Sequence, residues 1–354
     1  MNRNKVIILL VMIAVAIGGY FAYPSIVLFL AAQEKSVNTD DVVIFVKTGT
    51  NLEELENQLL DAGILKNGSS FGELAHYKGL TDSLVAAGKY VISPKYPVKH
   101  IAYGFKLNSL GNGNAEVEVD VTFNNCRDLY DLAGKVGKFI ESDSANLVYY
   151  LTSNTTIQHY GFKHMNFPAM FIPNTYKMFW DTSPEEFVKR MAEEFKLFWN
   201  DYRKNKASSL KLSQSEVVTL ASIVYKEQGL VKEEWPIIAG LYLNRLRDNW
   251  KLESDPTFRF CWGRQLDGVQ RLTYAHRSID CPYNTYKYAG LPPGPICIPP
   301  AAVVDAVLNY QTHNYFFMCA KPGGENKHNF AHSYSDHLKN AKVYQQWLSA
   351  NKIR

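Results

Sequence analysis

The sequence contains no C-x-x-C pair, no run of basic residues, no low-complexity tract and no internal repeat. Each absence removes a class of protein. The five cysteines, Cys126, Cys261, Cys281, Cys297 and Cys319, are scattered, which argues against a paired-thiolate metal cluster. Their odd number leaves at least one thiol free or intermolecular, and Cys261–Cys281 is a candidate disulfide if this part of the chain is exported. A net charge of +4, with 38 basic and 34 acidic residues and no basic block, gives no footprint for nucleic acid. His328, His332 and His337 lie close together, but no Glu follows in the H-E-x-x-H manner, and Gly323-Gly324 and Asn329 oppose a helix at His328. No metal and no cofactor are expected.

What is present is globular. The 354 residues exceed one average domain, and 46% apolar and 13% aromatic residues suffice for sizeable cores, so two folded units plus an appendage are expected. The appendage is the N-terminus. Arg3 and Lys5 precede Val6–Ala32, a charge-free apolar stretch longer than the roughly 20 residues a membrane-spanning helix needs. A cleaved signal peptide has an apolar core of about 7–15 residues and a small-x-small site, of which Leu30-Ala31-Ala32 is a poor version. Residues 6–32 are therefore predicted to be an uncleaved membrane anchor. The positive residues keep 1–5 cytoplasmic and place everything after Ala32 outside the inner membrane.

After a polar linker at 33–40, residues 41–110 read as a small unit. A strand at Val42–Val46, a turn at Thr48-Gly49-Thr50, helices at Leu52–Ala62 and Phe71–Tyr77, and a returning strand at Lys89–Ile92 give the order strand, helix, helix, strand. Leu110-Gly111-Asn112-Gly113-Asn114 is the linker candidate. A larger mixed α+β unit, 115–354, opens on the alternation of Val117, Val119, Val121 and Phe123. Leu129, Leu132, Ala133, Val136 and Ile140 mark an amphipathic helix, and Phe162–Trp180 reads as an aromatic loop. A helix from Ser183-Pro184-Glu185-Glu186 buries Phe187, Met191, Phe195, Phe198 and Tyr202 as core. Another runs from Trp235 to Asp248. Beyond Trp250 turn-rich polar–aromatic loops are expected, then a helix at Ala301–Asn309, a strand at Tyr315–Cys319 and a helix at His332–Asn351.

The segment Ser213–Gly229 carries the chemistry. Ser213 and Glu216 form a capping-box signature, and Val217, Leu220, Ala221 and Val224 make one apolar stripe. Glu227 continues that stripe, and Gly229 is the expected stop. A carboxylate on a buried face is desolvated, which raises its pKa and suits it to donate a proton. The alternative is a last-turn Glu that bends out to water.

Leu220–Glu227 (LASIVYKE), Leu243-Asn244-Arg245-Leu246, Ser254-Asp255-Pro256-Thr257, Cys281-Pro282-Tyr283-Asn284-Thr285-Tyr286 and Gly290–Ile296 (GLPPGPI) occur in order. Together they resemble the YceG-like (MltG-type) endolytic murein transglycosylases over nearly the whole chain: anchor, LysM-like first unit and catalytic domain with a lysozyme-like Glu on a helix. The resemblance implies that Glu227 is the catalytic acid, standing at the second Glu of the family's S-I-[IV]-E-K-E segment, with Tyr225 at the first. The family's Glu-Gly before F-x-P-D-T-Y is Ala169-Met170 here, its Asp is Asn174, and Cys281 replaces a usual Ser.

The implied reaction is cleavage of a β-1,4 glycosidic bond in nascent peptidoglycan with closure to a 1,6-anhydro end, terminating chain elongation. Glu227 would serve as acid and then as base, with Asp255 the second carboxylate in a family motif. Asn174, Tyr176, Ser222, Asn244, Arg245, Asp255, Thr257, Tyr283, Asn284, Thr285, Tyr286 and His337 are the predicted substrate-binding residues, since polar groups beside rings suit a sugar's mixed faces. Loop stabilisation by local hydrogen bonds and an Arg245–Asp255 ion pair is the alternative for this set. GLPPGPI is expected to be a rigid wall. Implied partners are glycan strands and peptidoglycan synthases or penicillin-binding proteins. A wall-binding scaffold without activity and a hydrolase using Asp255 with water are the rival functions.

Overall fold

The computed structural model describes residues 3–269 and 272–351; within the first helix the side chains at 3–6, 8–11, 14–16, 19, 21 and 24 also lie outside the described residues. The chain divides into two compact units: Met1–Val121 with Phe139–Glu141 and Lys177–Thr182, and Thr122–Lys138 with Ser142–Tyr176 and Ser183–Arg354.

The first unit begins with α1, Arg3–Ala31, which coincides with the predicted anchor at 6–32. Many of the apolar side chains that argued for an anchor lie outside the described residues, and among the described residues no helix is long and apolar enough to cross a membrane. The predicted strand–helix–helix–strand order follows as β1 (Val42–Val46), α2 (Leu52–Asp61), α3 (Phe71–Tyr77) and β2 (Gly88–Ile92). β1 and β2 pair antiparallel, with Val42 opposite Ile92 and Val46 opposite Gly88. Asn51 and Glu54 close a capping box on α2, and Gly63 ends it at φ 67°, where a side chain would be strained. An unforeseen short helix, α4 (Val98–Gly104), adds Ile101 to a core of Leu55, Leu59, Phe71, Leu74, Tyr90 and Phe105.

The stretch 110–114 lies inside this unit. Backbone bonds from Asn114 to Lys106, Ala115 to Gly104 and Val117 to Lys89 hold it there. Beside them the Glu116 carboxyl is pushed up to about 8, by burial first and then by the charge of Asp181.

In the sequence that follows, β3 (Val119–Phe123) pairs with β4 (Asn174–Met178). The second unit contains α5 (Leu129–Val136), α6 (Ser144–Thr152) and α7 (Asn154–His159), then α8 (Pro184–Phe198) behind a Ser183–Glu186 capping box. α9 (Asp201–Ser209) starts a new helix at the Asn200 cap, so Tyr202 leaves the predicted core stripe and is 56% exposed, while Phe187 and Met191 are buried. α10 (Gln214–Glu227) and α11 (Trp235–Arg247) pack with α14 (Ala301–Leu308) as the centre of this unit. Every residue from Val217 to Val224 is buried, so α10 is enclosed on all sides rather than along one stripe.

Between α11 and α14 the expected loops contain α12 (Asp255–Trp262) and α13 (Tyr274–Arg277). The Cys261–Cys281 disulfide ties α12 to the segment that follows α13; Cys126, Cys297 and Cys319 are free. In GLPPGPI, Gly294 passes so close to another strand of chain that a Cβ would lie 1.7 Å from the Met165 carbonyl oxygen. The chain ends with a hairpin of β5 (Phe317–Ala320) and β6 (His328–Ala331), Phe317 opposite Ala331, and with α15 (Tyr334–Ala350).

Candidate active site

Glu227 is the last residue of α10. The helix stops there because Gln228 turns to an extended conformation, φ −136° and ψ 95°, not because of Gly229. The Gln228 side chain makes the stop firm. Its Oε1 accepts from the Leu230 and Val231 amides, and its Nε2 donates to Glu234 Oε2 and the Asn326 carbonyl.

One Glu227 oxygen is fully engaged. Oε1 accepts from the Tyr242 hydroxyl at 2.6 Å and from Ser254 Oγ at 2.5 Å. Oε2 makes no hydrogen bond to a described protein group and opens into a cavity of about 280 Å³. Leu241, Leu252 and Met318 form its apolar wall, and Tyr242, Arg245, Asp255, Arg277, Tyr286 and His328 are among its polar groups. Burial is the main cause holding the Glu227 carboxyl above its ordinary range. The Ser254 and Tyr242 hydroxyls pull it down, the Asp255 charge pushes it up, and His328 pulls it down. The α10 carboxyl-terminal dipole, negative at this end, also opposes ionisation. Such a group holds its proton to higher pH than a free carboxyl does.

The second carboxylate sits across the same cavity. Asp255 Oδ1 accepts from the Tyr286 hydroxyl at 2.5 Å and lies 3.8 Å from Arg277 Nε. Asp255 is the first residue of α12, and Ser254 is its N-cap by backbone angle. The Ser254 hydroxyl does not cap the helix, because it is committed to Glu227. Glu253, just before it, is held at φ 49°, a strained angle for a side-chain-bearing residue.

Three predicted binding residues reach this cavity: Arg245, Asp255 and Tyr286. The other predicted residues lie elsewhere. Ser222 is fully buried, donating to the Thr219 carbonyl and accepting the Ile296 amide. Thr257 and Thr285 are buried in a hydroxyl lattice that also receives the Ser254 amide. Asn284 is buried with its amide on the carbonyls of Arg277 and Ile279, and Asn244 with its amide on those of His313 and Tyr315. These side chains bond the backbone and one another and are not part of the cavity lining.

Tyr283 packs on Phe260, Tyr176 is buried with its hydroxyl on the Ile172 carbonyl, Asn174 is exposed on β4, and His337 stacks on Phe317; none lines the cavity. Arg245 pairs with Glu253 at 3.6 Å, not with Asp255, and its Nε and Nη1 reach the Phe316 and Leu252 carbonyls. The residues that sequence reasoning missed are Tyr242, Ser254 as a partner of Glu227, and Gln228 and Glu234 as the groups that hold His328, which the sequence offers only within a metal-like histidine group. Tyr242 is the most telling, since nothing in its spacing from Glu227 marks it.

A larger cavity of about 1160 Å³ lies at the opposite end of α10, lined in part by Met165, Leu291, Pro292 and Pro293. Among the described residues its only carboxylate, Glu216, is occupied as the capping-box acceptor of Ser213. Glu227 and Asp255 line the smaller cavity.

Comparison with known proteins gives a consistent assignment. A protein from Bacillus subtilis (strain 168) named endolytic murein transglycosylase is 26% identical over 328 residues, covering 87% of this chain and 86% of its own length. One of the same name from Streptococcus pneumoniae serotype 2 (strain D39) is 26% identical over 350 residues, covering 91% of this chain but 62% of its own length. This chain thus spans under two thirds of the streptococcal protein. A crystal structure titled as a yceG-like protein from Listeria monocytogenes shares the fold, with a TM-score of 0.54 at 22% identity over 85% of this chain and 99% of that one. The YceG-like family profile matches residues 44–343, and the chain belongs to that family.

Proposed function

We propose that this protein is a lytic transglycosylase of murein, cutting glycan strands internally at the β-1,4 bond between N-acetylmuramic acid and N-acetylglucosamine and leaving 1,6-anhydromuramic ends. The observation that carries this reading is the Glu227 carboxyl: half-buried, held by one oxygen, with the other facing a cavity beside Asp255. The names of the relatives point the same way. Glu227 Oε2 gives its proton to the departing glycosidic oxygen while Tyr242 and Ser254 keep the carboxyl from rotating and take up its developing negative charge. Arg277 and Tyr286 hold Asp255, whose charge steadies the cationic sugar.

The same reading puts the protein at the inner membrane through residues 6–32, with everything after Ala32 outside the cytoplasm. The Cys261–Cys281 disulfide suits that oxidising side. Nascent strands are the substrate, termination of chain growth the outcome, and peptidoglycan synthases the neighbours. Mass spectrometry of murein digested by the full-length chain tests the reaction. Anhydro ends absent from a Glu227→Gln digest support it. Reducing ends point instead to hydrolysis with Asp255 and water, and uncut strands to a wall-binding scaffold.

A further inference from the structure

We propose that His328, held by the buried Glu234 carboxylate, is a second catalytic residue: the base that takes the proton of the attacking C6 hydroxyl. This rests on the transglycosylase reading given above.

The starting point is a carboxylate that the acid's own geometry does not use. Glu234 is 6% exposed, in the turn that precedes α11. Its Oε1 accepts the His328 backbone amide at 2.8 Å, and its Oε2 lies 2.7 Å from His328 Nδ1. Gln228, the residue after the catalytic acid, donates to the same Oε2 at 2.9 Å. The imidazole is thus pinned through both its backbone and its ring to the corner where α10 ends. A carboxylate at Nδ1 requires the proton on Nδ1, which leaves the lone pair of the neutral ring on Nε2. Nε2 bonds no described protein group, and His328 lines the cavity that Glu227 Oε2 faces.

The stereochemistry of the reaction asks for such a pair. The β-linked leaving oxygen departs from the face of the sugar on which C6 stands, and O6 closes onto C1 from that same face. Proton donor and proton acceptor must then share one side of the ring, as two groups lining one small cavity do. A single carboxyl with one oxygen already bonded to two hydroxyls would have to serve both steps through its other oxygen.

With His328 the two steps separate. The C1–O4 bond breaks with its electron pair passing to O4, which takes the Glu227 proton, while the substrate's acetamido oxygen bonds C1. O6 then bonds C1 as its proton moves to Nε2, and the acetamido oxygen leaves with its electron pair. The imidazolium returns the proton to the Glu227 carboxylate, and both residues are restored.

The test uses the full-length chain on purified glycan strands. His328→Ala and His328→Gln, each shown to be folded by thermal melting, should lose roughly 10²–10⁴-fold in kcat with KM little changed. Added imidazole should restore part of the His328→Ala rate. Glu234→Gln, which leaves the ring in place but loosens it, should lose less in kcat and gain nothing from imidazole. The proposal is overturned if the folded His328 variants keep kcat within about threefold of the parent, or if their loss falls in KM, or if imidazole fails to restore His328→Ala. If the parent itself makes no anhydro ends, the transglycosylase reading fails and this one with it; intact parent activity with indifferent His328 variants sinks this one alone.

Discussion

Tyr242→Phe isolates the part of the site that tunes the acid. The substitution keeps the ring and removes one of two hydroxyls that donate to Glu227 Oε1, the bond of 2.6 Å. Both donors favour the ionised carboxyl, so removing one pushes the Glu227 carboxyl further up. A hydrogen bond to a charged group contributes about 1.5–3 kcal/mol. At 1.36 kcal/mol per pH unit that is an upward shift of about 1–2 units. Cleavage needs Glu227 protonated, so kcat falls as pH rises through its pKa. The variant's alkaline limb should therefore lie about 1–2 units higher than the parent's.

The plateau should also drop, by roughly tenfold, because Ser254 alone holds the carboxyl in place. The assay is kcat for glycan-strand cleavage across pH, with Ser254→Ala and the double variant completing a cycle. Because both hydroxyls share one oxygen, their effects should not add. An alkaline limb that stays put, or moves down, refutes the account of how this acid is tuned.

Glu227→Gln should be at least as stable as the parent at neutral pH in thermal melts. The folded-state pKa is raised, so the stability present at low pH is lost as pH climbs past the usual carboxyl value, and neutral Gln has no such loss. Glu116, pushed up to about 8 from the usual 4.5, should make the parent lose stability between those values; urea midpoints at several pH values should show a flatter profile for Glu116→Gln. Ser222→Ala should cost about 1–3 kcal/mol by urea denaturation, because the buried Ile296 amide loses its acceptor, while KM stays unchanged. A raised KM there would return Ser222 to the substrate.

Local signals in the chain carried the elements that have strong punctuation. The Ser213–Glu216 and Ser183–Glu186 boxes located α10 and α8, and the alternation in 119–123 located β3. Hairpin β5–β6 was half seen, because β6 has four residues and its pairing with β5 arises only in the fold. The Cys261–Cys281 bridge, a candidate from the sequence on the condition of export, is present in the fold. At the site, the stripe alone left open a last-turn Glu bent out to water, and it was the family motif that pointed to Glu227.

Its neighbours were beyond reach for a physical reason. Tyr242 and Ser254 meet one oxygen from two other elements, and spacing along the chain says nothing about such a convergence. The polar residues of S-D-P-T and C-P-Y-N-T-Y were read as sugar contacts, yet Thr257, Asn284 and Thr285 are buried and satisfy one another and the backbone. A polar motif looks the same whether its hydrogen bonds go to a ligand or to a wall.

The close passage at Gly294 bears on how this protein tolerates change. Its backbone is not in the left-handed region, so Asn and Asp have no advantage there of the kind they have at a turn. The constraint is volume alone, since even a methyl group meets the Met165 carbonyl oxygen. Any other residue at 294 has to displace residues 165–166, which line one side of the 1160 Å³ cavity while Leu291–Pro293 line another. Since the obstruction is main chain, which no side-chain change at 165 removes, a substitution at 294 is accommodated only if the 165–166 backbone moves and reshapes that side of the cavity.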